Sequence, residues 1–123
     1  MRLLTHNLLA SNVKGTTAGF PLKLEVLVKE ERSTEFDAAF LLHTLPKLNW
    51  SAFRAAAESL GVDKLPSTYP ERDELTNEFL RVFHHALLEI EVQEGYLICP
   101  ETGRRFPVRK GIPNMMLNED EVD

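Results

Sequence analysis

The stretch LTNEFLRVFHHALLEIEV, residues 75–92, changes its period midway, and that change decides the fold. Leu75, Phe79, Val82, Phe83, Ala86 and Leu87 line one helical face, with Glu74, Asn77, Glu78 and Arg81 largely off it. From Leu88 the period becomes two. Leu88, Ile90 and Val92 alternate with Glu89, Glu91 and Gln93, the pattern of a half-buried strand. A helix therefore runs into a strand with almost no punctuation. Beyond it come Glu94-Gly95, the run Tyr96–Cys99, the turn Pro100–Gly103, the run Arg104–Val108, the turn Arg109–Gly111 and the run Ile112–Leu117. Turns about eight residues apart predict an antiparallel meander.

Upstream, Leu22, Leu24, Val26 and Val28 alternate with Lys23, Glu25, Leu27 and Lys29, which predicts a strand after the small, polar loop Lys14–Gly19. Phe36, Phe40, Leu41 and Leu45 fit a short helix ending at Pro46. Trp50, Phe53, Ala57 and Leu60 fall on one helical stripe that Gly61 is placed to cap. Residues 62–72, with Pro66, Ser67 and Pro70, read as a connector. Three or four helices between strand segments predict an α+β protein. The expected arrangement is a small antiparallel β domain built from both termini, residues 1–33 and 88–123, with a helical domain, residues 34–87, inserted. By pattern, Leu3 and Leu4 belong to the same small sheet as Ile112, Met115 and Met116. Charge follows the same division. Residues 1–33 hold five basic and three acidic groups, residues 34–99 five and eleven, and residues 100–110 four and one. Glu119, Asp120, Glu121 and Asp123 make the tail acidic.

Composition excludes several classes. The 123 residues suffice for one modest core and are short for a cofactor-binding enzyme of repeated strand–helix units. With 43% apolar and 27% charged residues the chain is ordinary for a soluble globular protein. A net charge of −5 disfavours nucleic-acid binding through overall charge. A single cysteine excludes an intramolecular disulfide and a zinc site of several thiolates, and points to a reducing compartment, cytoplasm or nucleus. No apolar run approaches the ~20 residues of a membrane span, and Met1–Ala10 is too polar and short for a signal peptide.

Chemistry-bearing residues form no catalytic motif. The histidines are His6, His43, His84 and His85; the last two are neighbours pointing about 100° apart on a helix, with no partner carboxylate evident. They read as structural. Ser11, Ser51, Ser59 and Ser67 lack a nucleophile elbow, and no phosphate-cradling glycine loop is present. Cys99-Pro100-Glu101-Thr102-Gly103 has the shape of a zinc knuckle whose second cysteine is replaced by Thr102. Arg104, Arg105, Arg109 and Lys110 form a basic patch too small to carry nucleic-acid binding alone. The chain ends are unusually apolar: Met1-Arg2-Leu3-Leu4 with Leu8-Leu9, and Ile112 to Leu117. Consecutive Met115, Met116 and Leu117 put apolar side chains on both faces of a strand, more than one small sheet covers, so a partner surface is expected.

Four segments together resemble one family: Met1-Arg2-Leu3-Leu4-Thr5-His6-Asn7-Leu8-Leu9, Phe79-Leu80-Arg81 through His84-His85-Ala86-Leu87-Leu88-Glu89, Glu94-Gly95 through Gly103, and Lys110-Gly111-Ile112-Pro113-Asn114-Met115-Met116-Leu117. It is the multifunctional methyltransferase subunit family, small activators of S-adenosylmethionine-dependent methyltransferases. The resemblance implies a non-catalytic subunit that heterodimerises, one partner at a time, with methyltransferases of tRNA, small-subunit rRNA and the translation termination factor. S-adenosylmethionine would be bound by the partner only, and RNA touched only indirectly. Some members hold zinc with four cysteines at places corresponding to Ser11, Thr16, Cys99 and Thr102. Only Cys99 remains here, so no zinc is expected. The expected partner-binding set is Leu3, Leu4, His6, Asn7, Ile112, Pro113, Asn114, Met115 and Met116. Two other readings stay open: a free-standing RNA-binding β module using the Arg104–Lys110 patch, and a small hydrolase using a histidine.

Overall fold

The computed structural model describes residues 1–122. Its order is α1 (Leu3–His6), β1 (Lys23–Glu31), α2 (Ala38–Thr44), α3 (Trp50–Ser59), α4 (Asn77–His84), β2 (Ile90–Ile98), β3 (Arg105–Arg109) and β4 (Ile112–Pro113). Each longer helix starts on a side-chain cap. Asp37 accepts from the Phe40 amide, Asn49 from the Ala52 amide and Thr76 from the Phe79 amide, satisfying donors the first turn leaves free. Gly61, at φ 87°, takes the left-handed position after α3.

The strands form one antiparallel sheet in the order β1-β2-β3-β4, so β1 and β4 are its edges. Helices and sheet share one apolar core. Phe53 and Phe83 meet edge-on with ring centroids 5.4 Å apart, and Trp50 lies 5.5 Å from Phe53. Leu41, Leu87, Val92, Leu97, Phe106 and Val108 complete its centre. The α+β class is as expected from the periodicity, and the Trp50, Phe53, Ala57, Leu60 stripe is wholly buried.

Four local expectations need correction. Leu3–His6 is a helical turn, not a strand, because Leu3 and His6 at i and i+3 both turn inward. Only Met1 extends the sheet, exchanging backbone hydrogen bonds with Val92 at 2.8 Å. Helical winding persists past His84 as a π-turn, His85–Glu89, so Leu88 belongs to it and β2 starts at Ile90. Glu94-Gly95 is no turn. β2 runs through it, and the pairing with β1 shifts register twice around Val28, an irregularity that breaks the alternation. Gly95 is required there, since a Cβ would collide with the Glu25 carbonyl. Finally, β4 is two residues long, and beyond Pro113 one ladder bond continues, from the Asn114 amide to the Pro107 carbonyl at 2.9 Å.

Candidate interaction edge and the Cys99 turn

The two sheet edges differ. β1 carries charges along its length, Lys23, Glu25, Lys29, Glu30 and Glu31, and is kinked by its register shifts. Both features discourage another chain from pairing. β4 carries neither, and among the described residues no strand pairs with its outer side. Along the extended segment from Ile112 to Asn118, burial alternates. Ile112, Asn114 and Met116 are exposed, while Pro113, Met115 and Leu117 are half-buried. Met115 and Leu117 pack against the core, whereas Ile112 is 69% and Met116 77% exposed. The expected two-faced apolar segment is present.

The amino-terminal residues lie differently. Leu3 is fully buried, and His6 and Asn7 are 2% and 7% exposed. His6 donates from Nε2 to the Leu22 carbonyl at 2.8 Å, and its burial lowers its pKa below the usual histidine value. Asn7 donates to the Asn49 carbonyl at 3.0 Å and accepts from the Asn49 amide at 2.9 Å, tying α1 to the start of α3. These three side chains face this chain's own interior. Leu4 is half-buried, and Leu8 beside them is 76% exposed.

The basic patch is largely neutralised within the chain. Arg104 donates to Glu121, Arg105 to Glu25 at 2.9 Å, and Arg109 lies 3.7 Å from Glu94. Arg105 and Arg109 also flank the Tyr96 ring, at 4.3 and 5.3 Å from its centroid.

The paired histidines do have a carboxylate. Glu89 accepts from the Thr34 amide at 2.8 Å, lies 3.0 Å from His85 Nδ1 and 3.5 Å from His84 Nε2. Glu31 lies 2.9 Å from His85 Nε2. The π-turn brings this about, by carrying Glu89 round beneath both rings. Burial alone would raise the Glu89 pKa, but bonds from Thr34 and His85 outweigh it and lower it. This clasp joins the end of β1 to the exit from α4. Among the described residues no three His, Cys, Asp or Glu side chains are placed to hold a metal.

At the Cys99 turn, the Thr102 amide donates to Cys99 Sγ at 3.4 Å and the Gly103 amide to the Cys99 carbonyl at 3.0 Å. Burial pushes the thiol up, yet hydrogen bonds from the Ser11 and Thr102 hydroxyls and nearby amides bring it down to about 7. Ser11 and Thr102 thus sit beside Cys99, and Thr16 Oγ1 is buried without a partner. Zinc does not fit this set. One thiol and three hydroxyls lack the deprotonated soft donors a structural zinc needs. The glutamate the turn carries was not singled out as functional by spacing or period. Glu101 Oε2 accepts from the Thr17 and Ala18 amides, each at 2.7 Å.

Fold and edge define a small α+β protein that offers one unguarded apolar strand. The chain matches the Trm112p-like protein family model over residues 2–111 and belongs to that family. It is 49% identical to multifunctional methyltransferase subunit TRM112 homolog A of Arabidopsis thaliana, covering 99% of this chain and 100% of that protein. It is 46% identical to the TRM112-like methyltransferase subunit of Mus musculus, over 100% and 99% of the two chains. Among solved structures, it is similar to a chain of the E. cuniculi Mtq2–Trm112 complex, with a TM-score of 0.56 and 18% identity. That match covers 94% of this chain and 95% of the other, and it shows the shared fold.

Proposed function

We propose that this chain is a non-catalytic activating subunit. It heterodimerises, one partner at a time, with S-adenosylmethionine-dependent methyltransferases of tRNA, small-subunit rRNA and the translation termination factor. Its relatives carry the name multifunctional methyltransferase subunit, and the E. cuniculi complex methylates the eRF1 termination factor. The observation that carries the reading is the edge at β4, where Ile112 and Met116 stand exposed and, among the described residues, no strand pairs with the outer side. A methyltransferase with an apolar sheet edge of its own gains a strand and two apolar side chains there, which keeps it soluble. Stabilisation then grows with partner concentration over the dissociation constant.

The docking set proposed is Ile112, Pro113, Asn114 and Met116, with Leu4 and Met115 at its margin. Leu3, His6 and Asn7 lie in this chain's own interior, His6 bonded to Leu22 and Asn7 to Asn49. The proposal includes a knuckle-like β domain, residues 1–33 and 88–123, that presents this edge, and a helical insertion, residues 34–87, that supplies much of the core. It also places the protein in the cytoplasm and nucleus, where such partners work. The RNA-module alternative is disfavoured by the internal pairing of Arg104, Arg105 and Arg109. The test is reconstitution. Each methyltransferase, produced alone and with this chain, is assayed for soluble yield and methyl transfer to tRNA, rRNA or termination factor. Gain of both on co-production supports the reading. Methyl transfer by this chain alone, or no gain with any partner, contradicts it.

A further inference from the structure

We infer that Glu101 is a positioning residue that closes the metal-free turn and thereby holds the docking strand in place, an inference resting on the proposed docking edge. The loop Ser11–Gly19 and the turn Cys99–Gly103 are far apart in sequence, and the residues facing each other between them do not suit zinc. Glu101 bridges the gap. Its carboxylate takes the Thr17 and Ala18 amides on Oε2, each at 2.7 Å, and the Thr17 hydroxyl on Oε1 at 3.3 Å. Two successive backbone amides aimed at one carboxylate oxygen form a charge-assisted grip.

The same loop is gripped again from the carboxyl-terminal side. The Lys14 amide donates to the Glu121 carbonyl at 2.6 Å, and the Glu121 carboxylate holds Arg104 at 2.6 and 3.2 Å. Arg104 in turn reaches the Met116 carbonyl at 3.4 Å. Glu101, the loop, Glu121, Arg104 and Met116 thus form one connected path. The Glu101 carboxylate and the Glu121 backbone carbonyl fasten the loop, and the Glu121 carboxylate carries the connection on through Arg104 to the docking segment. Nothing in this path needs a metal ion, so chelators leave it intact.

The experiment compares Glu101→Gln with the wild-type chain, and repeats the comparison in a background carrying Ser11→Cys, Thr16→Cys and Thr102→Cys, loaded with zinc. Gln keeps the size but loses the charge and one acceptor oxygen. In the natural background, Glu101→Gln is expected to lower the melting temperature by about 5 °C and weaken methyltransferase binding roughly tenfold. In the zinc-loaded background, with one zinc per chain by elemental analysis, the same substitution is expected to change neither. EDTA is expected to leave the natural chain's melting temperature unchanged and to lower that of the zinc-loaded background. Equal melting and binding of Glu101→Gln and wild type would overturn the inference, as would equal losses in both backgrounds. Failure of the wild-type chain to bind any methyltransferase would overturn the docking reading instead, leaving the melting comparison to decide the role of Glu101.

Discussion

Phe53→Ala tests the core that carries the proposed docking edge. Phe53 is fully buried, meets Phe83 edge-on at 5.4 Å and lies 5.5 Å from Trp50. A buried phenyl ring hides ~150–250 Å² from water. At ~25 cal/mol per Å² the larger value corresponds to about 6 kcal/mol, of which the methyl of alanine retains a part. The two aromatic contacts are lost as well, and the α3–α4 backbone limits collapse around the hole. Phe/Trp→Ala changes in cores cost roughly 3–5 kcal/mol, and this site, with no exposed edge, belongs at the upper end. The assay is urea unfolding followed by tryptophan fluorescence, since Trp50 borders the cavity. The free-energy change on unfolding should fall by about 4 kcal/mol with an unchanged denaturant slope. Phe53→Leu should lose less than half of that. A loss under about 1 kcal/mol for Phe53→Ala would refute the placement of this ring at the centre of a close-packed core.

Gly95→Ala should destabilise the chain by roughly 1–3 kcal/mol, because its Cβ meets the Glu25 carbonyl of the neighbouring strand; an unchanged urea midpoint would contradict the register drawn for β1 and β2. His6 is held neutral by burial, with a folded pKa below its ordinary 6.5. The unfolded chain therefore binds the extra proton first, so the His6 contribution should make stability fall as pH drops below 6.5 toward the folded pKa. Urea midpoints between pH 5 and 7.5 should show that slope, and a flat profile would contradict it.

What the sequence made legible was local. The Trp50, Phe53, Ala57, Leu60 stripe reads from spacing alone because a buried helical face imposes its period on the residues. The two-faced apolar segment around Met115 and Met116 was legible for a similar reason, since extended chain alternates sides. Misreadings arose where backbone geometry departs from a regular period. Gly95 looked like a turn because a register shift and a missing side chain interrupt alternation just as a turn does. Leu3-Leu4 looked like strand because four residues are too few to separate a period of two from one of 3.6. The Glu101 grip and the His85–Glu31 pair join residues 84 and 54 positions apart. No local pattern encodes such contacts. Burial of Leu3 and His6 was equally hidden, because an apolar residue wanted by a core and one wanted by a partner are spelled alike.

The central claim, that the β4 edge is where a methyltransferase docks, is tested most directly by titrating Met116→Glu against a partner methyltransferase. Met116 is 77% exposed in the free chain, so the variant should melt within about 2 °C of wild type. If the side chain enters an apolar interface, the new carboxylate is buried without a counter-charge, at about 3 kcal/mol or more. That corresponds to a roughly 100-fold or greater rise in Kd. A normally folded Met116→Glu chain that binds with unchanged Kd would contradict the account.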